Sequence, residues 1–268
     1  MKGMFIFMMK EQDKFSPSTL LEGMTSIRAA IRGIDAAVNN RKILKIIYAE
    51  DRAAKIAPEL GYLKAVMPKY GFSIEASTSE EIDQLTLGTS HGGIVAECSA
   101  RSFPTLRGSD ALIRRDGFYV MIQGIEDPYN FGYALRSLYA SGVDGIILDE
   151  RNWMSAAGVV ARSSAGASEL FPVFLSDPLD AADYFRSIGY TTVCADIRTE
   201  HLLETTEIRF PVFLIVGGER RGISRALLDK ADLKVRISYG REFHASLSAA
   251  SAATILGYEI FRQNKFPR

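Results

Sequence analysis

Residues 118–136 read FYVMIQGIEDPYNFGYALR. Phe118–Gln123 is short, β-rich and almost uniformly apolar, with no polar alternation. A strand of that kind is buried on both faces, as in a parallel sheet covered by helices on each side. A helix is predicted beyond it, over Gly132–Ser141. Between the two, Asn130 suits an N-cap or turn position, and Gly132 admits close approach of backbone. Arg136 follows six residues after Asn130, near the start of that helix. A capped helix with a surface arginine would account for the same pattern without any function.

The strand texture repeats toward the carboxyl end. Gly145–Leu148, Val173–Leu175, Thr191–Ala195, Val212–Val216 and Leu233–Ile237 are equally short and apolar. Helices are predicted between and after them over Ala157–Ser163, Pro178–Ser187, Ser224–Leu228 and Ser248–Arg262. Strands alternating with helices predict an α/β domain built on a mostly parallel sheet. Ligands of such sheets gather beyond the carboxyl ends of the strands.

Working toward the amino end, residues 99–115 (SARSFPTLRGSDALIRR) hold Pro104, Gly108 and four arginines without a sustained period. They read as a linker. Before it lies a smaller α/β unit. Helices are expected over Glu22–Arg32, Pro58–Tyr70 and Ser79–Leu87, the last with Ser79 as N-cap; strands are expected over Ile43–Ala49, Phe72–Ala76 and Gly93–Cys98. The division is therefore a first domain over 1–100, a linker over 101–115 and a second domain over 116–268. The opening MKGMFIFMM is apolar but interrupted, and too short for a membrane span or a signal peptide. It suits an edge strand, an interface segment or a disordered start.

Composition narrows the function classes. The chain has 268 residues, 47% hydrophobic and 24% charged, the profile of an ordinary globular protein able to bury a sizeable core. Lysine plus arginine total 32, as do aspartate plus glutamate, and residues 1–100 carry 12 of each. A nucleic-acid partner would need basic charge segregated in three dimensions, since the count supplies no excess. Cys98 and Cys194 lack CxxC spacing and indicate a reducing compartment, hence a cytoplasmic protein. His91, His201 and His244 show no metal-ligand spacing, so no metal is expected. Neither GxSxG nor GK[ST] occurs, which argues against a nucleophile-elbow hydrolase and a P-loop nucleotidase.

Two further groups could carry chemistry. Gly217-Gly218-Glu219 with Gly222 follows strand 212–216, and its backbone can approach a ligand. A tight strand–helix turn would explain it as well. Ile237–Ser251 (ISYGREFHASLSAAS) ends in small residues at a helix start, which permit dense packing or leave ligand space.

Together these groups resemble the SpoU (TrmH-type) family of RNA ribose methyltransferases in the SPOUT superfamily. Asn130-x-Gly132-x-x-x-Arg136 with Gly142 resembles the family's first motif, Gly217-Gly218-Glu219-x-x-Gly222 its second, and Ser246-Leu247-Ser248-Ala-Ala-Ser251 its third. Arg162-Ser163-Ser164-Ala165-Gly166-Ala167 is similar to a family segment between them, and the likeness covers about 117–263. Gly23–Ile31 and His91-Gly92-Gly93-Ile94-Val95-Ala96 resemble an L30e-like substrate-binding domain, with Gly92 where glutamine is usual.

The resemblance implies a trefoil-knotted carboxy-terminal domain and a homodimer whose partner subunit completes each active site. It implies S-adenosylmethionine as cofactor, held by loops containing Gly217, Gly218, Ile237 and Leu247. It implies a catalytic set of Asn130, Arg136, Glu219, Ser246 and Ser248, acting on a ribose 2′-hydroxyl of RNA, with ribosomal RNA favoured. A guanidinium is a poor proton acceptor at neutral pH, so Arg136 is read as a clamp on phosphate and developing alkoxide. Two departures stand out. Ser248 replaces the usual asparagine, and Ile237-Ser238-Tyr239 replaces Ile-Pro-Met. The alternatives are a transfer-RNA methylase, a non-catalytic RNA-binding protein that kept the fold, and a dinucleotide enzyme, the last lacking its glycine fingerprint.

Overall fold

The computed structural model describes residues 20–86, 91–149, 156–218 and 222–265. The opening MKGMFIFMM and Glu219 lie outside the described residues. In chain order the elements begin with β1 (Leu20–Glu22), α1 (Gly23–Asp35), β2 (Ile43–Ala49), α2 (Ala57–Tyr70), β3 (Ser73–Ser77), α3 (Ser79–Leu85) and β4 (Ile94–Cys98). Then come β5 (Phe118–Gln123), α4 (Pro128–Ala140), β6 (Gly145–Leu148), α5 (Ala157–Ser163), β7 (Val173–Leu175) and α6 (Pro178–Ser187). The chain continues through β8 (Thr191–Ala195), β9 (Val212–Gly217), α7 (Arg225–Lys230), β10 (Leu233–Val235) and α8 (Ala249–Lys265).

Two compact units form, one of residues 1–102 with 152–170, the other of 103–151 with 171–268. In the first, four strands run β1-β4-β2-β3, with β2 and β3 parallel and the other pairs antiparallel. Residues 156–170, which the sequence places among the carboxy-terminal elements, pack here. Gly166 is left-handed, and a Cβ there would stand 2.4 Å from that of Ala29 on α1. Only glycine allows that approach. Arg162 pairs with Glu22 at 2.8 Å.

A buried polar cluster fixes the same segment. The Glu169 carboxylate accepts from Arg41 Nε at 2.8 Å and from Asn39 Nδ2 at 2.6 Å. Arg101 donates to the carbonyls of Ser168 and Val38, and burial pushes its guanidinium down to about 10. Residue 101, at the head of the stretch read as a linker, is thus enclosed rather than free.

In the second unit six strands run β10-β8-β9-β5-β6-β7, every pair parallel. The apolar strands fulfil the expectation of two covered faces. Tyr119, Phe185, Tyr190 and Phe213 fill one side, with the Phe185 and Phe213 rings stacked at 4.3 Å. On another face α4 meets α8. Leu138 lies where a Cβ on Gly257 would clash, and Phe261 lies beside Gly142. These pairs advance together along both helices, so α4 and α8 run in the same direction and start at the same end.

Caps or first residues differ from expectation at several helix starts. Asp127, not Asn130, caps α4 by accepting from the N–H groups of Tyr129 and Asn130; Pro128 then opens the helix. Thr78, not Ser79, caps α3 in a reciprocal pair with Glu81. The helix predicted from Ser224 begins at Arg225. In α4 and α3 the capping side chain belongs to a residue that precedes the polar residue first chosen. Strand β10 stops at Val235, so Ile237 stands in the loop that follows.

Candidate active site

A cavity of about 710 Å³ opens at the carboxyl ends of β8, β9 and β10. That volume suits a drug-sized or nucleoside-sized ligand. Its floor is apolar, made by the buried side chains of Val216, Leu228 and Val235. Gly217, Gly218 and Gly222 form one wall; Ile237, Ser246 and Leu247 form another.

The glycine wall has a steric reason. Gly217 pairs with Gln123 across β9 and β5, and the Gly218 N–H donates to the Gln123 carbonyl at 2.5 Å. A Cβ on Gly218 would fall 2.1 Å from the Gly124 oxygen. The second motif is therefore pressed against the end of β5 and the turn that follows it, backbone on backbone. Gln123 also receives the Ser224 N–H on its side-chain oxygen at 3.2 Å. Gly222 lies in the left-handed region, and nothing stands within 4 Å of where its Cβ would be. Gly222 itself lines the cavity.

The opposite wall explains both departures at 238 and 239. Ser238 donates from its N–H and its hydroxyl to Glu204, the latter at 2.7 Å. Proline could not donate the first of these bonds. Burial opposes ionisation of Glu204, but the bonds from Ser238 and from its own backbone together outweigh it and hold the carboxyl below its usual range. Tyr239 accepts the Leu247 N–H at 3.3 Å, and its ring lies 5.9 Å from that of Phe243. The bulkier side chain braces the loop across its own width.

Of the residues singled out from sequence, Gly217, Gly218, Ile237, Ser246 and Leu247 converge on this cavity. Asn130 and Arg136 stand on α4 outside its lining, Arg136 exposed. Ser248 is also outside the lining. Its hydroxyl accepts the Ser251 N–H at 3.1 Å and caps α8. Glu219 lies outside the described residues. Cys98 and Cys194 are buried, and burial pushes both thiols up to about 12, which makes them poor nucleophiles at neutral pH.

The sequence reading missed Asp196, Arg198, Arg225, Arg236 and Phe243, all of which line the cavity. The carboxyl-end rule pointed at residues 196–198, directly after β8, but no motif drew attention there. Burial disfavours ionised Asp196; hydrogen bonds from the Arg198 backbone and guanidinium overcome this and lower its carboxyl pKa. Among the described residues lining the cavity, four arginines face one aspartate. The basic surface absent from the overall count is thus present locally.

Among the described residues no group of histidine, cysteine and acidic side chains could hold a metal ion. No described helix is long and apolar enough to cross a membrane.

Comparison with known proteins gives a consistent picture. The Bacillus subtilis (strain 168) protein YacO, named for the TrmH family of tRNA/rRNA methyltransferases, is 26% identical over 86% of this chain and 92% of its own. A Staphylococcus haemolyticus (strain JCSC1435) relative named for the same family is 32% identical, over 54% of this chain and 58% of its own. The fold matches the AdoMet complex of the SpoU methyltransferase AviRb from Streptomyces viridochromogenes with a TM-score of 0.74 at 23% identity, covering 93% and 91% of the two chains. An AdoMet-bound rRNA methyltransferase from Sinorhizobium meliloti matches at 0.73 and 22% identity, covering 91% and 86%. The sequence model of the SpoU rRNA methylase family covers residues 117–258, more than half of the chain, and the chain belongs to that family.

Proposed function

We propose that this protein transfers a methyl group from S-adenosylmethionine to a ribose 2′-hydroxyl of structured RNA, with ribosomal RNA the favoured substrate. The observation that carries this reading is the single cavity where the second- and third-motif loops meet beneath an arginine-rich rim. The cofactor fits the residues present. An apolar floor, an open left-handed Gly222 and the half-buried Ile237 and Leu247 offer a nucleoside-sized space lined largely by backbone and apolar groups. Gly217, Gly218, Ile237 and Leu247 would hold it. When bound, the cofactor supplies an electrophilic methyl on a sulfonium that leaves as a neutral thioether.

The protein's own work is to place the ribose oxygen in line and to stabilise it as its proton passes to water. Arg136 is suited to that task by its fixed charge and forked donors. It stands on an exposed face of α4 that also carries Tyr129 and Tyr133, the latter 51% exposed. Ile255 and Tyr258 on α8 add to the exposed apolar surface of this helix pair, Tyr258 at 58%. A second copy covering these side chains would give the homodimer, and would let Arg136 of one subunit serve the cavity of the other. The L30e-like region would hold the RNA at a distance from the reacting ribose. A cytoplasmic location agrees with free, buried cysteines.

The test is transfer of labelled methyl from S-adenosylmethionine to total RNA, followed by digestion to nucleosides. Label in 2′-O-methyl nucleosides of the ribosomal fraction is expected. Label confined to small RNA would favour the transfer-RNA alternative. RNA binding with no label in any fraction would leave only the non-catalytic reading.

A further inference from the structure

The mouth of the cavity differs chemically from its floor. Twelve large hydrophobic side chains are exposed on the described chain, and two of them, Ile197 at 68% and Phe243 at 57%, stand at this one opening. Each is flanked by arginine: Arg198 follows Ile197, and Arg241 precedes Phe243 by two residues. Arg225 and Arg236 complete the rim. Arg198 is tied to Asp196 at 3.1 Å and Arg225 to Asp229 at 3.0 Å, whereas Arg236 and Arg241 have no carboxylate partner among the described residues.

This rim does not suit the cofactor alone. S-adenosylmethionine carries a sulfonium and an ammonium against one carboxylate, a net positive charge that gains nothing from surrounding guanidinium groups. The rim calls for a polyanion, and the exposed ring calls for a flat apolar surface to cover it. Unstacked nucleotides of single-stranded RNA supply both in one ligand: phosphates for the arginines and a base for the ring. Phe243 is also held in place. Tyr239 packs against it at 5.9 Å and is itself pinned by the Leu247 N–H, so the platform is braced from the cavity wall.

We propose that Phe243 is a stacking platform for an unpaired base of the RNA substrate, flanked by Arg236 and Arg241 as phosphate contacts. The inference rests on the methyltransferase reading above and adds what that reading lacks. The substrate segment at the cavity mouth is single-stranded, and it is recognised by ring and charge more than by base-edge hydrogen bonds. Phe243 acts on substrate affinity, while the deeper glycine wall serves the cofactor.

The experiment uses the full chain with two probes. One is a mixed-sequence single-stranded 20-mer RNA, and the other the same 20-mer with abasic sites. The unaltered chain should bind the abasic 20-mer about tenfold more weakly than the base-bearing one, in the range expected for loss of stacking. Phe243→Ala should bind the base-bearing 20-mer about tenfold more weakly and no longer distinguish the two. Phe243→Trp should restore the discrimination, with its added indole fluorescence quenched by the base-bearing RNA only. Calorimetric titration of S-adenosylmethionine should differ by less than twofold among the three proteins. Equal binding of both RNAs by the unaltered chain would overturn the proposal. So would an unchanged Phe243→Ala, or a collapse of cofactor affinity in that variant, which would make the ring a cofactor contact instead. Absence of methyl transfer by the unaltered chain, with the RNA discrimination intact, would instead overturn the methyltransferase reading.

Discussion

Arg41 and Arg101 in the first unit carry the same guanidinium as Arg236 and Arg241 in the second, under opposite conditions. The first two are buried and hydrogen-bonded inside the unit: Arg41 to Glu169 and the Ser99 carbonyl, Arg101 to the carbonyls of Ser168 and Val38. The second two border open space and have no described carboxylate partner. A buried guanidinium held by such partners specifies one arrangement of chain and is out of reach of a ligand. One that borders open space without a counter-ion raises the local potential and keeps its donors available to a ligand. The contrast separates arginines that build the molecule from arginines that wait for RNA, though all four look alike in the sequence.

The sharpest way to break this contrast is at Glu169. Glu169→Gln keeps shape but removes the charge that compensates Arg41 inside the first unit. The loss should be about 3–5 kcal/mol, the usual cost of leaving one buried ion without its partner. Urea denaturation followed by circular dichroism reads it. Replacing both members, Arg41→Met with Glu169→Leu, should recover most of that loss, since the desolvation of both ions disappears too. If Glu169→Gln were neutral, the cluster would be no more structural than the rim.

Next in size is Arg136→Ala, which extends the comparison to an exposed arginine outside the cavity. Transfer should fall by at least about 100-fold, roughly 2.7 kcal/mol of transition-state stabilisation. Cofactor affinity by calorimetry and the denaturation midpoint should stay near normal. Near-normal turnover would remove Arg136 from the reacting centre. A smaller effect is expected at the rim. Arg241→Ala should weaken single-stranded RNA binding severalfold and lower the slope of log K against log salt by about 0.7, the mark of one lost phosphate contact. An unchanged slope would mean that Arg241 faces solvent and nothing else.

How much of this was readable beforehand follows from the range of each interaction. Strands β5, β6, β7 and β8 stand where their apolar runs end, because burial on both faces leaves no ambiguity of period. The glycine wall was readable in part, since Gly217 and Gly218 flag a close approach, but not that the Gly124 oxygen would be the neighbour. The start of α4 was misplaced because Asp127 and Asn130 are both good caps, and local sequence does not choose between them. The Glu169 cluster left no local trace. Arg41 and Glu169 are separated by 128 positions, and each looks like a surface charge until the fold brings them together. Phe243 was likewise invisible, since exposure is a property of the finished surface.

Ser248 gives the smallest effect and the finest discrimination between building and reacting residues. Its hydroxyl accepts the N–H of Ser251 and so satisfies one of the open donors at the first turn of α8. Removing it in Ser248→Ala should cost about 1 kcal/mol, the ordinary worth of such a cap. Ser248→Asn restores a side-chain oxygen at the cap and should regain that stability. The two variants separate the roles because they move stability and chemistry differently. A residue that only caps predicts that kcat follows the cap: slightly reduced in alanine and restored in asparagine, with KM for RNA unchanged. A residue that touches the reacting ribose predicts a much larger loss of kcat in alanine than 1 kcal/mol of stability can explain. It also predicts a further change in asparagine, whose amide adds donors where serine has one hydroxyl. The position of Ser248 outside the cavity lining favours the first outcome. A kcat reduced a hundredfold in Ser248→Ala at unchanged denaturation midpoint would move it to the side of Arg136.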